Sequence, residues 1–185
     1  MSLRLRDVTL SDIPGITDIY RESVLYGSAS YEISAPDEAE MRARFEAVTE
    51  KGYPYIAAED EAGRLLGYAY ASAFRTRPAY RWLVEDSIYL APDARGRGVG
   101  KTLLAELITR STALGFRQMA AVIGGASSAS VALHTALGFA MVGTMKGTGY
   151  KHGAWLDTIF MQRDLGEGTT SDPDAKTYPG TLFKG

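Results

Sequence analysis

Apolar residues recur with two different periods along this chain, and the switches between them divide it into elements. Leu3-Arg4-Leu5-Arg6 alternates as a short strand does, and Ile13, Ile16, Ile19, Tyr20 and Val24 then fall at helical spacing behind the capping residues of Thr9-Leu10-Ser11-Asp12. A second helix is predicted after Ser34-Ala35-Pro36, with Pro36 in its first turn, running to about Lys51 and ended by Gly52. The link between the two, Tyr26 to Ile33, is polar and aromatic. Two apolar runs, Tyr55 to Glu59 and Leu65 to Ala73, face each other across Glu61-Ala62-Gly63-Arg64 and predict an antiparallel hairpin. Beyond an Arg- and Tyr-rich loop from Phe74 to Arg81, Trp82 to Leu90 reads as another strand. The next helix carries Val99, Leu103, Leu104, Leu107, Ile108 and Leu114 and stops at Gly115. A strand from Met119 to Ile123, a helix from about Ser128 to Leu137 closed by Gly138, and strands near Ala140 to Lys146 and Trp155 to Gln162 complete the alternation. This mixed order predicts an α/β sheet flanked by helices. Residues 166–185 have the Gly, Thr, Asp and Pro content of a flexible tail, yet Tyr178, Leu182 and Phe183 offer it a way to dock on the body or on a second subunit.

The segment Ile88-Tyr89-Leu90-Ala91-Pro92-Asp93-Ala94-Arg95-Gly96-Arg97-Gly98-Val99-Gly100-Lys101 joins an apolar strand to a helix through a glycine-rich loop. Glycines let the backbone approach a ligand, and the free N–H groups of a helix start favour an anion. Arg95, Arg97 and Lys101 add positive charge. A Walker A loop requires a glycine where Arg95 stands, although Gly100-Lys101-Thr102 fits its end. A dinucleotide fingerprint requires a glycine where Lys101 stands. What remains is Arg95-x-x-Gly98-x-Gly100.

Composition narrows the ligand. The 185 residues make one domain of ordinary size, and the absence of cysteine excludes a thiolate zinc site and a disulfide framework. No signal peptide or membrane span is expected from Met1-Ser2-Leu3-Arg4-Leu5-Arg6-Asp7, so the cytoplasm is the default location. Twenty basic against twenty-two acidic residues leave a net charge of -2, which offers nucleic acid no general attraction. A small-molecule ligand is the better expectation, with no metal.

The strand, the Arg95-x-x-Gly98-x-Gly100 loop and the helix after it resemble the acetyl-CoA pyrophosphate loop of the GNAT superfamily of N-acetyltransferases, and the element order over residues 1–165 is that of a GNAT domain. Three further segments resemble its phosphinothricin N-acetyltransferase branch, which includes enzymes acetylating methionine sulfoximine and methionine sulfone. These are Tyr80-Arg81-Trp82-Leu83-Val84-Glu85-Asp86-Ser87-Ile88-Tyr89, Ser130-Val131-Ala132-Leu133-His134-Thr135-Ala136-Leu137-Gly138-Phe139, and Gly149-Tyr150-Lys151-His152-Gly153-Ala154-Trp155-Leu156-Asp157. The resemblance implies a mixed central sheet splayed at the acetyl-CoA site, acetyl-CoA as cosubstrate, an amino acid-like amine as acceptor, and a homodimer.

An ammonium acceptor must lose a proton before it attacks a thioester, so a general base is needed. Glu85 matches the glutamate that this branch uses as base, the alternative being a surface carboxylate paired with an arginine. Asp86, alternating to the opposite face, is expected to serve as a control. The resemblance assigns the main chain of Ile88, Tyr89 and Leu90 to the pantetheine arm and thioester oxygen, Arg95, Gly96, Arg97, Gly98, Val99, Gly100 and Lys101 to the phosphates, and Ser127 and Ser130 to the same cofactor site. Ser127 stands where many relatives have asparagine. His134, four residues before Gly138, stands where many GNAT domains place a tyrosine that protonates the leaving thiolate; a structural histidine is the alternative. Arg75, Arg77 and Tyr80 match the basic-x-Arg-x-x-Tyr acceptor loop, Tyr31 an aromatic pocket wall, and Lys151 with His152 the pocket or a dimer contact. Without cysteine to carry an acetyl group, direct transfer is expected. Acetylation of another amine, such as a protein N-terminus or a polyamine, and a non-catalytic CoA-binding module remain the alternatives.

Overall fold

The alternation at the N-terminus forms β1 (Arg4–Asp7), where the Arg6 guanidinium ties three elements together. Its Nε donates to Glu59 at 2.6 Å, and both terminal nitrogens grip Asp12 at 2.7 Å. A short turn at Leu10–Asp12, closed by Thr9 and Asp12, then opens α1 (Ile13–Tyr26). The computed structural model describes residues 3–183. Met1 and Ser2, in the N-terminal segment, and Lys184 and Gly185, in the tail, lie outside the described residues.

Helix α2 (Glu38–Thr49) starts later than the sequence predicts, because the Asp37 carboxylate accepts the Glu40 N–H at 2.9 Å and caps the helix there, leaving Pro36 ahead of it. The expected hairpin forms as β2 (Tyr55–Glu59) and β3 (Leu65–Ala73), followed by β4 (Leu83–Leu90), α3 (Val99–Ala113), β5 (Gln118–Gly124) and α4 (Ser128–Thr135). The last two strands, β6 (Ala140–Lys151) and β7 (Ala154–Asp164), are longer than their apolar runs. Their extra length passes through Gly147 and Gly149 with a shift of register and closes on His152-Gly153, both at positive φ, the geometry of a two-residue hairpin turn.

Together the strands make one seven-stranded sheet in the order β1-β2-β3-β4-β5-β7-β6, antiparallel everywhere except between β4 and β5. Alternation along β4 sorts the helices onto its faces. The ring of Tyr89 meets Tyr20 of α1 at 4.9 Å, and the chain of stacked tyrosines that it continues, Tyr68, Tyr70 and Tyr55, meets Phe45 of α2. Leu90 and Asp86, on the other face, meet α3 and α4. Leu103, Leu104 and Leu107 of α3 are fully buried beneath the sheet. Residues 166–183 turn back over the body, where Tyr178 and Leu182 pack against the core. Among the described residues no helix is long and apolar enough to cross a membrane.

Candidate active site

The sheet parts in its middle. β4 and β5 pair only at Leu83–Gln118, Val84–Met119 and Glu85–Ala120, whereas β4 stays paired with β3 as far as Leu90 and β5 with β7 as far as Gly124. Ala91 donates to Leu66, so by alternation Tyr89 and Ser87 direct their main-chain groups at β3, and Ile88 and Leu90 direct theirs into the gap. The Trp82 carbonyl, two steps of that alternation before Asp86, accepts from Arg117 and Gln118 on the β5 side. Tyr89 therefore departs from expectation. Its N–H and C=O belong to the β3 ladder, and only its side chain contributes, stacked against Tyr68 at 5.3 Å.

At the end of β4 the chain turns through Pro92–Ala94 into the glycine loop. Gly96 and Gly98 have φ of 71° and 83°, which a side chain rarely adopts, and an added Cβ at either would meet nothing within 4 Å, so the loop faces open space. α2 and α4 are capped by Asp37 and Ser127, but α3 starts at Gly98 with no side-chain cap. The first-turn N–H groups at Val99, Gly100 and Lys101 thus point outward beside the exposed Arg95, Arg97 and Lys101. Arg95 also reaches back to the Leu90 carbonyl at 3.5 Å, and Arg97 to Asp93. These groups suit a polyphosphate. Ser127 Oγ, by contrast, accepts the Ser130 N–H as the α4 cap, at 3.4 Å.

Glu85, at the last β4–β5 pair, is half-buried on the face of α1 and the tyrosine stack. Burial pushes its carboxyl up to about 7; the charge of Asp86 adds to this, and Arg75 opposes it. Arg75 stacks on Phe74, with its guanidinium 4.4 Å from the ring centre, and donates to the Phe74 carbonyl. Arg75, Arg77 and Tyr80 are exposed on the loop beyond β3, with Tyr80 leaning on Phe74 at 6.2 Å.

Asp86 is buried on the opposite face, and it is not the inert control that alternation alone predicts. Its Oδ2 accepts from His134 Nε2 at 3.0 Å, while His134 Nδ1 donates to the Ser130 carbonyl at 2.7 Å. Both ring nitrogens of His134 are occupied and the ring is 4 % exposed, edge-on to Phe139. Both ring nitrogens therefore have protein partners, the arrangement expected of the structural histidine that is the alternative to a proton donor. Burial lowers the pKa of His134, but the hydrogen bond and charge of Asp86 outweigh it and hold the ring above the ordinary histidine value. Asp86 is the first residue beyond the parting and His134 belongs to the helix after β5, so the bridge spans the two halves of the sheet.

The other predicted residues gather where the α1–α2 link meets the β6–β7 hairpin. The Tyr31 hydroxyl donates to the Asp157 carbonyl at 3.0 Å and lies 2.8 Å from Thr158 Oγ1; its ring lies so close to Gly149 that an added Cβ there would stand 2.9 Å away. Lys151 is buried and donates to the Ser30 carbonyl at 2.7 Å. Burial lowers its pKa, partly offset by Glu32. Glu32 in turn accepts from Tyr20 and Arg44, a cluster not foreseen from the sequence. His152 is a turn residue, exposed, and donates to the Gly27 carbonyl at 3.3 Å. Tyr31 and Lys151 thus fasten the α1–α2 link to the β6–β7 hairpin. No group of three or more His, Cys, Asp or Glu side chains placed to hold a metal occurs among the described residues.

A parted sheet, an uncapped basic glycine loop at the mouth of the parting and a carboxyl of raised pKa beside it define an acyl-CoA-dependent transferase, and residues 5–160 match the family model described as an acetyltransferase (GNAT) domain. The chain belongs to the GNAT acetyltransferase family. It is 48% identical over 171 residues to a phosphinothricin N-acetyltransferase of Alcaligenes faecalis, covering 92% of this chain and 86% of that protein. It is 41% identical over 165 residues to an L-methionine sulfoximine/L-methionine sulfone acetyltransferase of Pseudomonas paraeruginosa, covering 89% and 96%. The crystal structure of a GNAT superfamily phosphinothricin acetyltransferase from Sinorhizobium meliloti in complex with acetyl-CoA has a TM-score of 0.99 to this structure and 62% identity, over 100% of both chains.

Two pH dependences follow from the β4 carboxylates. The kcat/KM of the enzyme is expected to rise with pH along a limb near 7 set by Glu85. Asp86→Asn removes a like charge and shifts that limb to lower pH, whereas Arg75→Gln shifts it higher; an unmoved limb in both variants would detach it from Glu85. His134 has a folded-state pKa above its unfolded value of about 6.5. Its bridge therefore contributes fully to stability below that pH, and the contribution is lost as pH rises through the folded-state pKa. Urea unfolding across this range should show the decline in the parent and a flatter profile in Asp86→Asn.

Proposed function

We propose that the chain transfers the acetyl group of acetyl-CoA directly to the α-amino group of a small amino acid analogue of the phosphinothricin, methionine sulfoximine or methionine sulfone type. The observation that carries this reading is the placement of Glu85, with its pKa raised to about 7, between the parting of the sheet and the loop of Arg75 and Arg77. Acetyl-CoA supplies a thioester with an electrophilic carbonyl carbon and a thiolate leaving group. Its phosphates are held by the Arg95–Lys101 loop, and its arm lies along the main chain of Ile88 and Leu90, whose N–H groups are positioned to polarise the carbonyl. Glu85 removes a proton from the acceptor ammonium, directly or through water. A group with a pKa near neutrality is half-ionised there, and is therefore both available as a base and strong enough to act. The two arginines hold the acceptor's carboxylate and its second oxygen-rich group, as the names of the relatives support. His134 positions the strand rather than donating a proton. A cytoplasmic location belongs to the same proposal, since acetyl-CoA is available there.

We also propose a homodimer. Met141, Val142, Met145, Tyr150 and Trp155 are exposed along β6 and its hairpin, at the outer edge of the sheet, and Trp155 is 71 % accessible. Such a row of large apolar side chains suits a second copy.

Thiol release from acetyl-CoA with methionine sulfone, methionine sulfoximine and phosphinothricin tests the reaction. Glu85→Gln is expected to lower kcat/KM by about 10²–10⁴-fold while acetyl-CoA binding persists. An unchanged rate would remove Glu85 as base, and no turnover by the parent with any of the three would remove the substrate class. For the dimer, sedimentation should give twice the chain mass in the parent and one chain mass in Val142→Asp; a monomeric parent would reject it.

A further inference from the structure

The acceptor loop, Phe74 to Trp82, has few fastenings of its own. Residues 75–80 are all exposed, and a single short turn at Pro78–Tyr80 organises them. The fastening lies at Arg81. Its Nε donates to the Pro78 carbonyl at 2.7 Å, closing the turn, and its terminal nitrogen donates to the carbonyl of Gly180, ninety-nine residues away in the C-terminal tail. One planar guanidinium thus staples the acceptor loop to the tail, a task its rigid fork suits.

The tail is itself anchored. Tyr178 packs edge-on against Phe116 at 5.6 Å, and Phe116, 1 % exposed, stacks on Tyr53. Pro179 closes against Gly115, and Lys51 lies over the ring of Phe183 at 5.9 Å. These contacts seat the tail on the C-terminal ends of α2 and α3, which the core holds fixed. The family model stops at residue 160, so this support lies outside the shared domain.

We infer that the Tyr178–Leu182 segment is a strut for substrate recognition: seated on the ends of α2 and α3, it holds the acceptor loop through Arg81 and so positions Arg75 and Arg77 for the acceptor. The inference rests on the reading of that loop as the acceptor-binding element. Arg81 is a positioning residue, and its contribution is preorganisation. A loop already fixed loses less freedom when the acceptor binds.

Arg81→Gln removes the staple, and Tyr178→Ala unseats the strut without touching the loop. Each is expected to raise the KM for methionine sulfone about three- to tenfold and leave the KM for acetyl-CoA and the Glu85 pH limb in place. The double variant should add little to either single change, as expected of residues acting through one contact. Native-state trypsin digestion, followed by mass spectrometry at the Arg75–Thr76 bond, should show faster cleavage in both variants, a readout independent of the acceptor. Unchanged cleavage and an unchanged acceptor KM in Tyr178→Ala would overturn the strut. So would a rise of both KM values in step with a fall in melting temperature, which marks general destabilisation. Arg77→Gln separates the two levels: if it leaves the acceptor KM unchanged, the underlying reading of the loop fails. If it raises that KM while Arg81→Gln and Tyr178→Ala do not, the strut alone fails.

Discussion

The parting of β4 from β5 after Glu85 is the constraint on which the rest of the site depends. Three residue pairs hold the two halves of the sheet together, and beyond them each half remains fully paired with its own neighbours. Ile88 and Leu90 consequently turn their main-chain groups to the gap rather than to β5, where the Leu90 carbonyl meets Arg95 and the rest are left for water or a ligand. The glycine loop is placed at the mouth of that gap because it is the direct continuation of β4. Position in the chain and position in space thus coincide, and a single strand leads from Glu85 to the glycine loop.

Glu85 and Asp86 divide the work of that strand between its faces. Alternation directs them into different environments: Glu85 toward the tyrosines and Arg75, Asp86 toward His134 beneath α4. Their charges still interact, so the carboxylate that holds the two halves together also raises the proton affinity of its neighbour. Shape and reactivity are coupled through one dipeptide. Substitution at Asp86 therefore cannot be read as purely structural or purely electrostatic.

Much of this was legible in the sequence because it is local. The hairpin of β2 and β3 appears at its predicted limits, since two apolar runs and a glycine turn specify it without reference to the rest of the chain. The glycine loop was equally plain. What escaped depends on contacts across the fold. Gly147 to Lys151 lacked the periodicity of a strand, yet pairing with β7 draws the segment into β6 despite two glycines. Asp86 carries no local sign that its partner is forty-eight residues on, and His152, expected in the pocket or a dimer contact, stands in the β6–β7 turn at positive φ. The start of α2 shifted for a smaller reason, the choice of Asp37 over an earlier residue as cap. Alternation sends Glu85 and Asp86 to opposite faces of β4, but it tells which face a side chain takes and not what waits there.

The chain has two tryptophans, and the fold has set them at different stations. Trp82 is half-buried at the root of the loop that follows β3, one residue after Arg81, and Trp155 is exposed on the outer hairpin of the single chain beside Tyr150. Indole emission follows exposure, so Trp82 reports on the loop that it anchors, and Trp155 reports whether a second copy covers the outer hairpin. The protein carries its own pair of optical probes, one for the loop and one for the edge of the sheet, with no label to attach.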